Sequence, residues 1–154
     1  MSTPDPTAID HWHQLDPRLT SSGQPTEAEF PLIAALGVRH IINLGLPDHP
    51  RAVPNEAACV ASLGLTYSAI PVEFGAPTEA DFAQFCTLMD RHDGEKLHIH
   101  CIANYRVSAF LYRYRRKILG WSHAASLPDL RAIWEPDPVW ATFIALDPDI
   151  GTTT

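Results

Sequence analysis

Three glycines divide the chain into a repeated order of helix and strand patterns, and this order constrains the fold more than any other feature. Each glycine follows a stretch with helical character, and glycine commonly ends a helix. A short run of apolar and β-branched residues follows each glycine, which is typical of a buried strand. The glycines are Gly37, Gly64 and Gly94, and the runs after them are residues 38–44, 65–70 and 96–100. Strands that alternate with helices predict an α/β fold with a central, mostly parallel sheet of about four to five strands, flanked by helices.

The starts of the predicted helices carry a second signal. Residues 11–24 begin with a mixed stretch suited to an edge strand and end in a turn. A capping box then follows, in which Thr26 and Glu29 should each satisfy a free backbone N–H group. The same box recurs at Thr78 and Asp81 before the third helix.

The C-terminal part of the chain is predicted to be helical. Apolar residues recur at helical spacing from Val107 to Ile118, so this helix should pack on the sheet and turn Arg113 outward. The remaining sequence continues the helical pattern without a linker. We therefore predict a single domain over residues 1–154, with a core at about 11–147 and flexible ends.

The composition excludes several classes of function. Eighteen acidic and eleven basic residues give a net charge of −7, which argues against general nucleic-acid binding and against adhesion to an anionic membrane. The three cysteines are widely spaced and odd in number, which indicates a reducing compartment. No leader pattern is present at the start, and no apolar segment reaches the roughly 18 residues of a membrane span. These features predict a cytoplasmic location.

A cysteine and an arginine lie at the junction between the last predicted strand and the helix after it. Cys101 would end the strand at the carboxyl edge of the sheet, where ligands gather in parallel α/β folds. The amides from Ile102 to Arg106 can form an anion-binding turn, for which the small Ala103 and the left-handed conformation open to Asn104 are suited. Backbone N–H groups and a fixed guanidinium favour a thiolate and bind a tetrahedral oxyanion. The pattern predicts a nucleophilic cysteine in an anion site.

Transfer of a phosphoryl group to this thiolate would also need an acid for the leaving group. The acid must come from another loop at the same edge of the sheet. Glu73 lies directly after a predicted strand and is our first candidate, with Asp48 and Asp81 as weaker ones.

At these residues the chain resembles a known family. It looks like the compact, dual-specificity-like branch of the protein tyrosine phosphatase superfamily, and more narrowly like the small bacterial phosphatase-like domains of the DUF442 group. Residues 22–25 and 70–72 support the resemblance, which spans about residues 11–120. The motif that carries it is His100-Cys101-Ile102-Ala103-Asn104-Tyr105-Arg106-Val107-Ser108-Ala109-Phe110.

The resemblance implies a fold, a mechanism and a set of site residues. The single domain would be a cysteine phosphatase that hydrolyses phosphomonoesters through a cysteinyl-phosphate on Cys101, with phosphate bound by Arg106. It also implies that His100 orients the loop and helps to hold the thiolate, and that Ser108 assists breakdown of the intermediate. The remaining substrate-binding residues would be those of the loop, Ile102, Ala103, Asn104, Tyr105 and Val107.

The loop departs from the superfamily's usual signature, His-Cys-x5-Arg-Ser/Thr. Four residues separate Cys101 from Arg106, and Ser108 stands two positions beyond the arginine. Two alternatives therefore stay open. One is a rhodanese-like sulfurtransferase, whose short Cys-x4-Arg loop suits a persulfide. The other is a pseudophosphatase that binds a phosphorylated ligand without turnover.

Paired histidines raise the question of a metal. His11 with His13, and His98 with His100, would each place two imidazoles on one face of a strand. No further ligand cluster accompanies them, so we interpret His98 and His100 as hydrogen-bonded within the sheet or loop, and we expect no metal or other cofactor. The expected partner is a phosphorylated small molecule or a phosphoprotein, not nucleic acid or a membrane, and the sequence does not indicate an oligomeric state.

Overall fold

A computed structural model describes residues 3–146 of the protein and has the predicted α/β architecture. The predicted flexible ends beyond those limits, and position 147 of the predicted core, lie outside the described residues. Five strands and six helices are found within them. In chain order they are β1 (His13–Asp16), β2 (Leu19–Ser22), α1 (Phe30–Ala34), β3 (His40–Asn43), α2 (Glu56–Ala61), β4 (Thr66–Ala69), α3 (Glu79–Arg91), β5 (Leu97–His100), α4 (Tyr105–Lys117), α5 (His123–Arg131) and α6 (Pro138–Phe143).

The five strands form one sheet with the order β1-β2-β5-β3-β4. The β1–β2 pair is antiparallel, and the β2–β5, β5–β3 and β3–β4 pairs are parallel. Each predicted glycine stop is confirmed, because Gly37, Gly64 and Gly94 all adopt positive φ angles, of 95°, 82° and 87°. This conformation is one that other residues rarely adopt, and it turns the chain from a helix into the next strand.

Two apolar clusters cover the two faces of the sheet. Ile41 and Ile42 are adjacent in β3 and are both fully buried, yet they belong to different clusters. Successive strand residues point to opposite faces, so helices α1 and α2 lie on one side and α3, α4 and α6 on the other. Ile9 packs into the cluster on the α1 and α2 side of the sheet, with 1% of its surface exposed.

The two predicted capping boxes form to different extents. At α3 the box is complete, with Asp81 N donating to Thr78 Oγ1 and Thr78 N donating to Asp81 Oδ2, both at 3.1 Å. At the first box only Thr26 N donates to Glu29 Oε1, at 2.9 Å. The residues between Thr26 and Glu29 form a turn, and α1 begins after it at Phe30.

The predicted orientation of Arg113 is wrong. Its guanidinium is bound by both carboxylate oxygens of Glu79 and lies over the rings of Phe82 and Phe143, so only 8% of the residue is exposed. The reason is that α3, through Glu79 and Phe82, and α6, through Phe143, pack against this flank of α4. Ile118, which the same pattern assigned to the buried stripe, is instead 50% exposed.

No helix within residues 3–146 combines the length and the apolar character needed to cross a membrane.

Candidate active site

The loop after β5 is held in a left-handed turn at the carboxyl edge of the sheet. Cys101 follows the last residue of β5, and α4 begins only four residues later at Tyr105. Asn104 caps this helix with φ 68° and ψ 3°. Its side chain is fully buried and donates from Nδ2 to His11 O and to Ser21 Oγ, each at 3.0 Å. These two hydrogen bonds stabilise the turn that the sequence predicted from an asparagine at this position.

The end of β2 and the segment after it pack against the same loop and form hydrogen bonds with it. Gln24 N donates to Ile102 O at 2.9 Å, and Cys101 N donates to Ser22 O at 3.4 Å. Gly23 approaches so closely that a Cβ added to it would lie 2.5 Å from Ile102 O. Glycine is therefore required at position 23, because any side chain would push the loop away.

Arg106 is buried next to this loop without a counter-ion. Only 6% of the residue is exposed, and its Nε has no hydrogen-bond partner within the described residues. Its guanidinium carbon lies 5.3 Å from the centre of the Phe74 ring, a cation–π contact. No carboxylate among residues 3–146 pairs with it. A buried cation is normally paired, so this arrangement indicates a site for an anion.

A cavity of about 310 Å³ opens over the loop. Phe74 and Tyr105 give it an aromatic lining, and Trp134 stacks on Tyr105 with ring centres 4.4 Å apart. Cys101 is fully buried, and the loop residues that follow it border the cavity. The full lining is His49, Phe74, Ile102, Ala103, Tyr105 and Arg106.

His100 connects the loop to a buried carboxylate. The residue is fully buried, its Nδ1 donates to Cys101 O at 3.0 Å, and its Nε2 lies 2.7 Å from Glu56 Oε2. The imidazole thus contacts the carbonyl oxygen of the cysteine at the start of the loop.

The structure brings some of the other predicted site residues together and leaves others apart. Ser108 is 7% exposed, and its hydroxyl donates to Tyr105 O at 3.1 Å. The side chain of Val107 is fully buried in the apolar core and does not line the cavity. Ile102, Ala103 and Tyr105, which were predicted to bind substrate, line the cavity.

The predicted acids lie outside the cavity lining. Glu73 and Asp48 are exposed, and neither borders the cavity. Asp81 is used in the capping box of α3. Phe74, the neighbour of Glu73, faces the cavity.

Sequence reasoning missed three residues of the site, His49, Phe74 and Glu56. His49 follows β3 and lines the cavity, and its position in a loop after a predicted strand was an available signal. Glu56 is the first residue of α2 and is 7% exposed. No sequence signal marks it, because a glutamate in the first turn of a helix is ordinary.

His98 and His100 are hydrogen-bonded, as predicted. His13 pairs with Asp129 at 2.7 Å, and His98 contacts the hydroxyls of Thr20 and Ser22, both at 2.8 Å. Burial, followed by the nearby charge of His100, holds the pKa of His98 well below its usual value of 6.5. Among residues 3–146 no group of three or more His, Cys, Asp or Glu side chains is arranged to hold a metal ion.

Comparison with solved structures places the fold. A crystal structure of a DUF442 protein from Shewanella putrefaciens, described as a candidate phosphatase, is 32% identical, covers 90% of this chain and 91% of its own, and superposes with a TM-score of 0.77. P. aeruginosa TpbA in complex with phosphotyrosine is 16% identical over 87% of this chain and 82% of its own, with a TM-score of 0.69. PTPMT1 in complex with PI(5)P is 17% identical over 88% of this chain and 92% of its own, with a TM-score of 0.71.

Comparison with curated protein sequences finds relatives that are longer than this chain. The beta-lactamase hydrolase-like protein of Agrobacterium fabrum is 26% identical over 90% of this chain and 38% of its own length. Its counterpart in Xylella fastidiosa is 38% identical over 56% of this chain and 21% of its own length. The chain therefore spans less than half of the curated relatives that it matches. No protein-family model matches the sequence.

The five-stranded sheet and the cysteine loop define the phosphatase-like fold of the protein tyrosine phosphatase superfamily. Within that superfamily the chain belongs to the DUF442 group. The DUF442 protein from Shewanella putrefaciens shows this, because it is 32% identical over 90% of the chain.

Proposed function

We propose that the protein hydrolyses phosphomonoesters through a cysteinyl-phosphate on Cys101, without a metal or another cofactor. The observation that carries the proposal is the buried guanidinium of Arg106, which lines the cavity and lacks a counter-ion among the described residues. A phosphate dianion in the cavity would supply the missing acceptor, and a guanidinium can donate two parallel hydrogen bonds to it.

The start of α4 complements the arginine. The first backbone N–H groups of a helix have no acceptor within the helix and carry a partial positive charge. In the loop from Ile102 to Val107 these groups would surround the three non-bridging oxygens of the phosphate. Fixed donors of this kind stabilise the charge of a phosphoryl-transfer transition state.

The proposed reaction has two steps. Cys101 Sγ attacks phosphorus, the bond from phosphorus to the leaving oxygen breaks, and this oxygen takes a proton from a carboxylic acid. Water then attacks the cysteinyl-phosphate, the sulfur–phosphorus bond breaks to restore the thiolate, and the carboxylate accepts the proton of the water. Ser108, whose hydroxyl now donates to Tyr105 O, would turn towards Sγ to assist the second step.

Glu73 is the proposed acid. Its loop reaches the cavity through the neighbouring Phe74, so a rearrangement of this exposed segment on substrate binding would bring the carboxyl group in. His49 is the competing donor, because it already lines the cavity. Its Nδ1 accepts from Arg51 N at 3.0 Å, which leaves the proton of a neutral ring on Nε2.

The first experiment measures release of phosphate from p-nitrophenyl phosphate in the presence of a chelator. We expect turnover by the wild type that vanadate inhibits, and loss of at least a thousandfold in Cys101→Ser and a hundredfold in Arg106→Lys. Cys86→Ser is the matched control, since this half-buried cysteine lies on α3 away from the loop. Full turnover by Cys101→Ser would disprove the mechanism.

The acid is identified by comparing substrates with different leaving groups. p-Nitrophenolate leaves without a proton, whereas phenolate needs one. Glu73→Gln should therefore lower kcat/KM for phenyl phosphate about tenfold more than for p-nitrophenyl phosphate, and Asp48→Asn should lower neither. If His49→Gln, and not Glu73→Gln, shows this difference, the acid is His49.

A sulfurtransferase is the second candidate, and the short loop favours it. Only Ile102, Ala103 and Asn104 separate Cys101 from the first residue of α4, so the anion site is narrower than a loop with one more residue would give. Formation of thiocyanate from thiosulfate and cyanide, dependent on Cys101, would identify this activity. Phosphate binding without either turnover would identify a pseudophosphatase.

The proposed substrate is a phosphorylated small molecule or a phosphoprotein. Phosphotyrosine and PI(5)P are bound by TpbA and PTPMT1, and the mixed aromatic and basic cavity here would suit a phosphate ester of either general kind. We also expect a reducing location such as the cytoplasm, because the three cysteines are free thiols.

A further inference from the structure

Glu56 is a buried carboxylate at a position that a surface residue would normally occupy. It is the first residue of α2, and 7% of it is exposed. The preceding Asn55, at the N-cap position, adopts a left-handed conformation with φ 56° and ψ 44°. Carboxylates are seldom buried unless they are paired and hydrogen-bonded.

Three donors surround this carboxylate. Gln24 Nε2 donates to Oε1 at 2.8 Å, Tyr67 OH donates to Oε2 at 2.9 Å, and His100 Nε2 lies 2.7 Å from Oε2. Burial opposes ionisation of Glu56, but the hydrogen bond and charge of His100, with the bonds from Gln24 and Tyr67, outweigh it and lower its pKa. Glu56 is therefore an anion that accepts three hydrogen bonds.

Both ring nitrogens of His100 face hydrogen-bond acceptors. Nδ1 lies 3.0 Å from Cys101 O, and a carbonyl oxygen only accepts. Nε2 lies 2.7 Å from Oε2 of the Glu56 carboxylate. The ring is therefore held between two acceptors directly behind the loop.

Glu56 is the negative group that faces the His100 ring. The other rings around it are Phe30, 6.0 Å away in an edge contact, and His98, 6.4 Å away. His98 is neutral, since burial and the neighbouring His100 lower its pKa. No further charged side chain among residues 3–146 forms an ion pair with His100.

We propose that Glu56 is a positioning residue that keeps His100 in its doubly protonated form, and that this positive charge behind the loop holds Cys101 as a thiolate. The inference rests on the proposed function in one respect, because a thiolate at Cys101 is the nucleophile of the proposed reaction. The ionisation of the Cys101 thiol can nevertheless be measured without phosphate turnover. Glu56 acts through His100 and touches no substrate. Tyr67 and Gln24 support it by holding the carboxylate in place.

The test is the pH profile of alkylation of Cys101 by iodoacetamide, followed by mass spectrometry of the peptide that contains it. Iodoacetamide is neutral, so binding of an anion by Arg106 does not affect the result. We expect Glu56→Gln to move the midpoint of the profile upward by about one pH unit and to slow alkylation near pH 6 about tenfold. Glu79→Gln is the matched control, because it neutralises a carboxylate paired with Arg113 and should leave the profile unchanged.

A double variant separates positioning from a general structural effect. If Glu56 acts through His100, then Glu56→Gln should have no further effect on the profile in a His100→Gln background. Superimposable profiles of folded Glu56→Gln and wild type would overturn the proposal.

A measurement on the wild type covers the case in which Glu56→Gln does not fold. Nitrogen-15 chemical shifts of labelled histidine should show both nitrogens of His100 protonated at about pH 7, and a neutral ring would overturn the proposal. These readouts need no phosphate turnover. A shifted alkylation profile in a protein that releases no phosphate would therefore support the role of Glu56 and contradict only the proposed phosphatase activity.

Discussion

Protonation of His40 should weaken the fold at mildly acidic pH. His40 begins β3, is 2% exposed, and its ring nitrogens contact Thr66 Oγ1 at 2.6 Å and Ser68 Oγ at 2.9 Å. The His92 ring stacks on it with a centroid distance of 3.7 Å. Burial, and then the neighbouring charge of His92, lower the pKa of His40 from 6.5 to about 4.

The size of the effect follows from this pKa difference. Between pH 6.5 and about 4 the unfolded chain binds a proton at His40 that the folded chain excludes, so stability is complete above this range and falls as the pH falls through it. Each pKa unit corresponds to about 1.4 kcal/mol. The free energy of unfolding should therefore fall by about 2 kcal/mol between about pH 7.5 and about pH 5 through His40 alone, and by about 3 kcal/mol at the acid limit.

Urea unfolding followed by tryptophan fluorescence at a series of pH values measures this effect. His40→Gln is the informative variant, because a glutamine can still contact the hydroxyls of Thr66 and Ser68 but does not titrate. His98 also titrates on unfolding, so the quantity of interest is the difference between the two proteins at each pH. If His40→Gln loses as much stability as the wild type between about pH 7.5 and about pH 5, the reasoning is refuted.

Three further substitutions test the packing around the site. Gly23→Ala would place its Cβ 2.5 Å from Ile102 O, so it should displace the loop and lower kcat/KM more than tenfold while circular dichroism shows a folded protein. Asn104→Ala removes two hydrogen bonds at a residue with φ 68°, and urea unfolding should show a loss of about 2–3 kcal/mol; an unchanged midpoint would contradict the role of this turn. Phe85→Ala empties a fully buried position in the core, and the same assay should show a loss of about 3–5 kcal/mol.

The order of the secondary structure was readable because its signals are local. Gly37, Gly64 and Gly94 end helices in the left-handed conformation, and the capping box at Thr78 begins α3 where predicted. Such signals depend on residues within one turn of the chain, so neighbouring elements do not alter them. The first capping box is incomplete because Glu29 N donates to Thr26 O, within a turn, and not to the Thr26 side chain.

The site was readable only where it is contiguous in sequence. The strand, cysteine, turn and arginine lie within one short motif, so their mutual placement follows from the strand-to-helix geometry of an α/β fold. Glu56 is 44 residues from its partner His100, and nothing in the local sequence of either indicates that they meet. His49 and Phe74 likewise reach the cavity from separate loops.

The sequence alone determined the alternation of helices and strands, the loop between Cys101 and Arg106, and a tight turn in which Asn104 can adopt the left-handed conformation. Only the tertiary structure decided which side chains have partners. Arg113 is neutralised by Glu79 and covered by Phe143 of α6, whereas Arg106, on the same helix, is buried without a counter-ion among the described residues. Helical periodicity cannot distinguish the two arginines, because the difference comes from elements that pack on α4 from distant parts of the chain. Burial with a partner makes one arginine structural, and burial without one makes the other available to an anion.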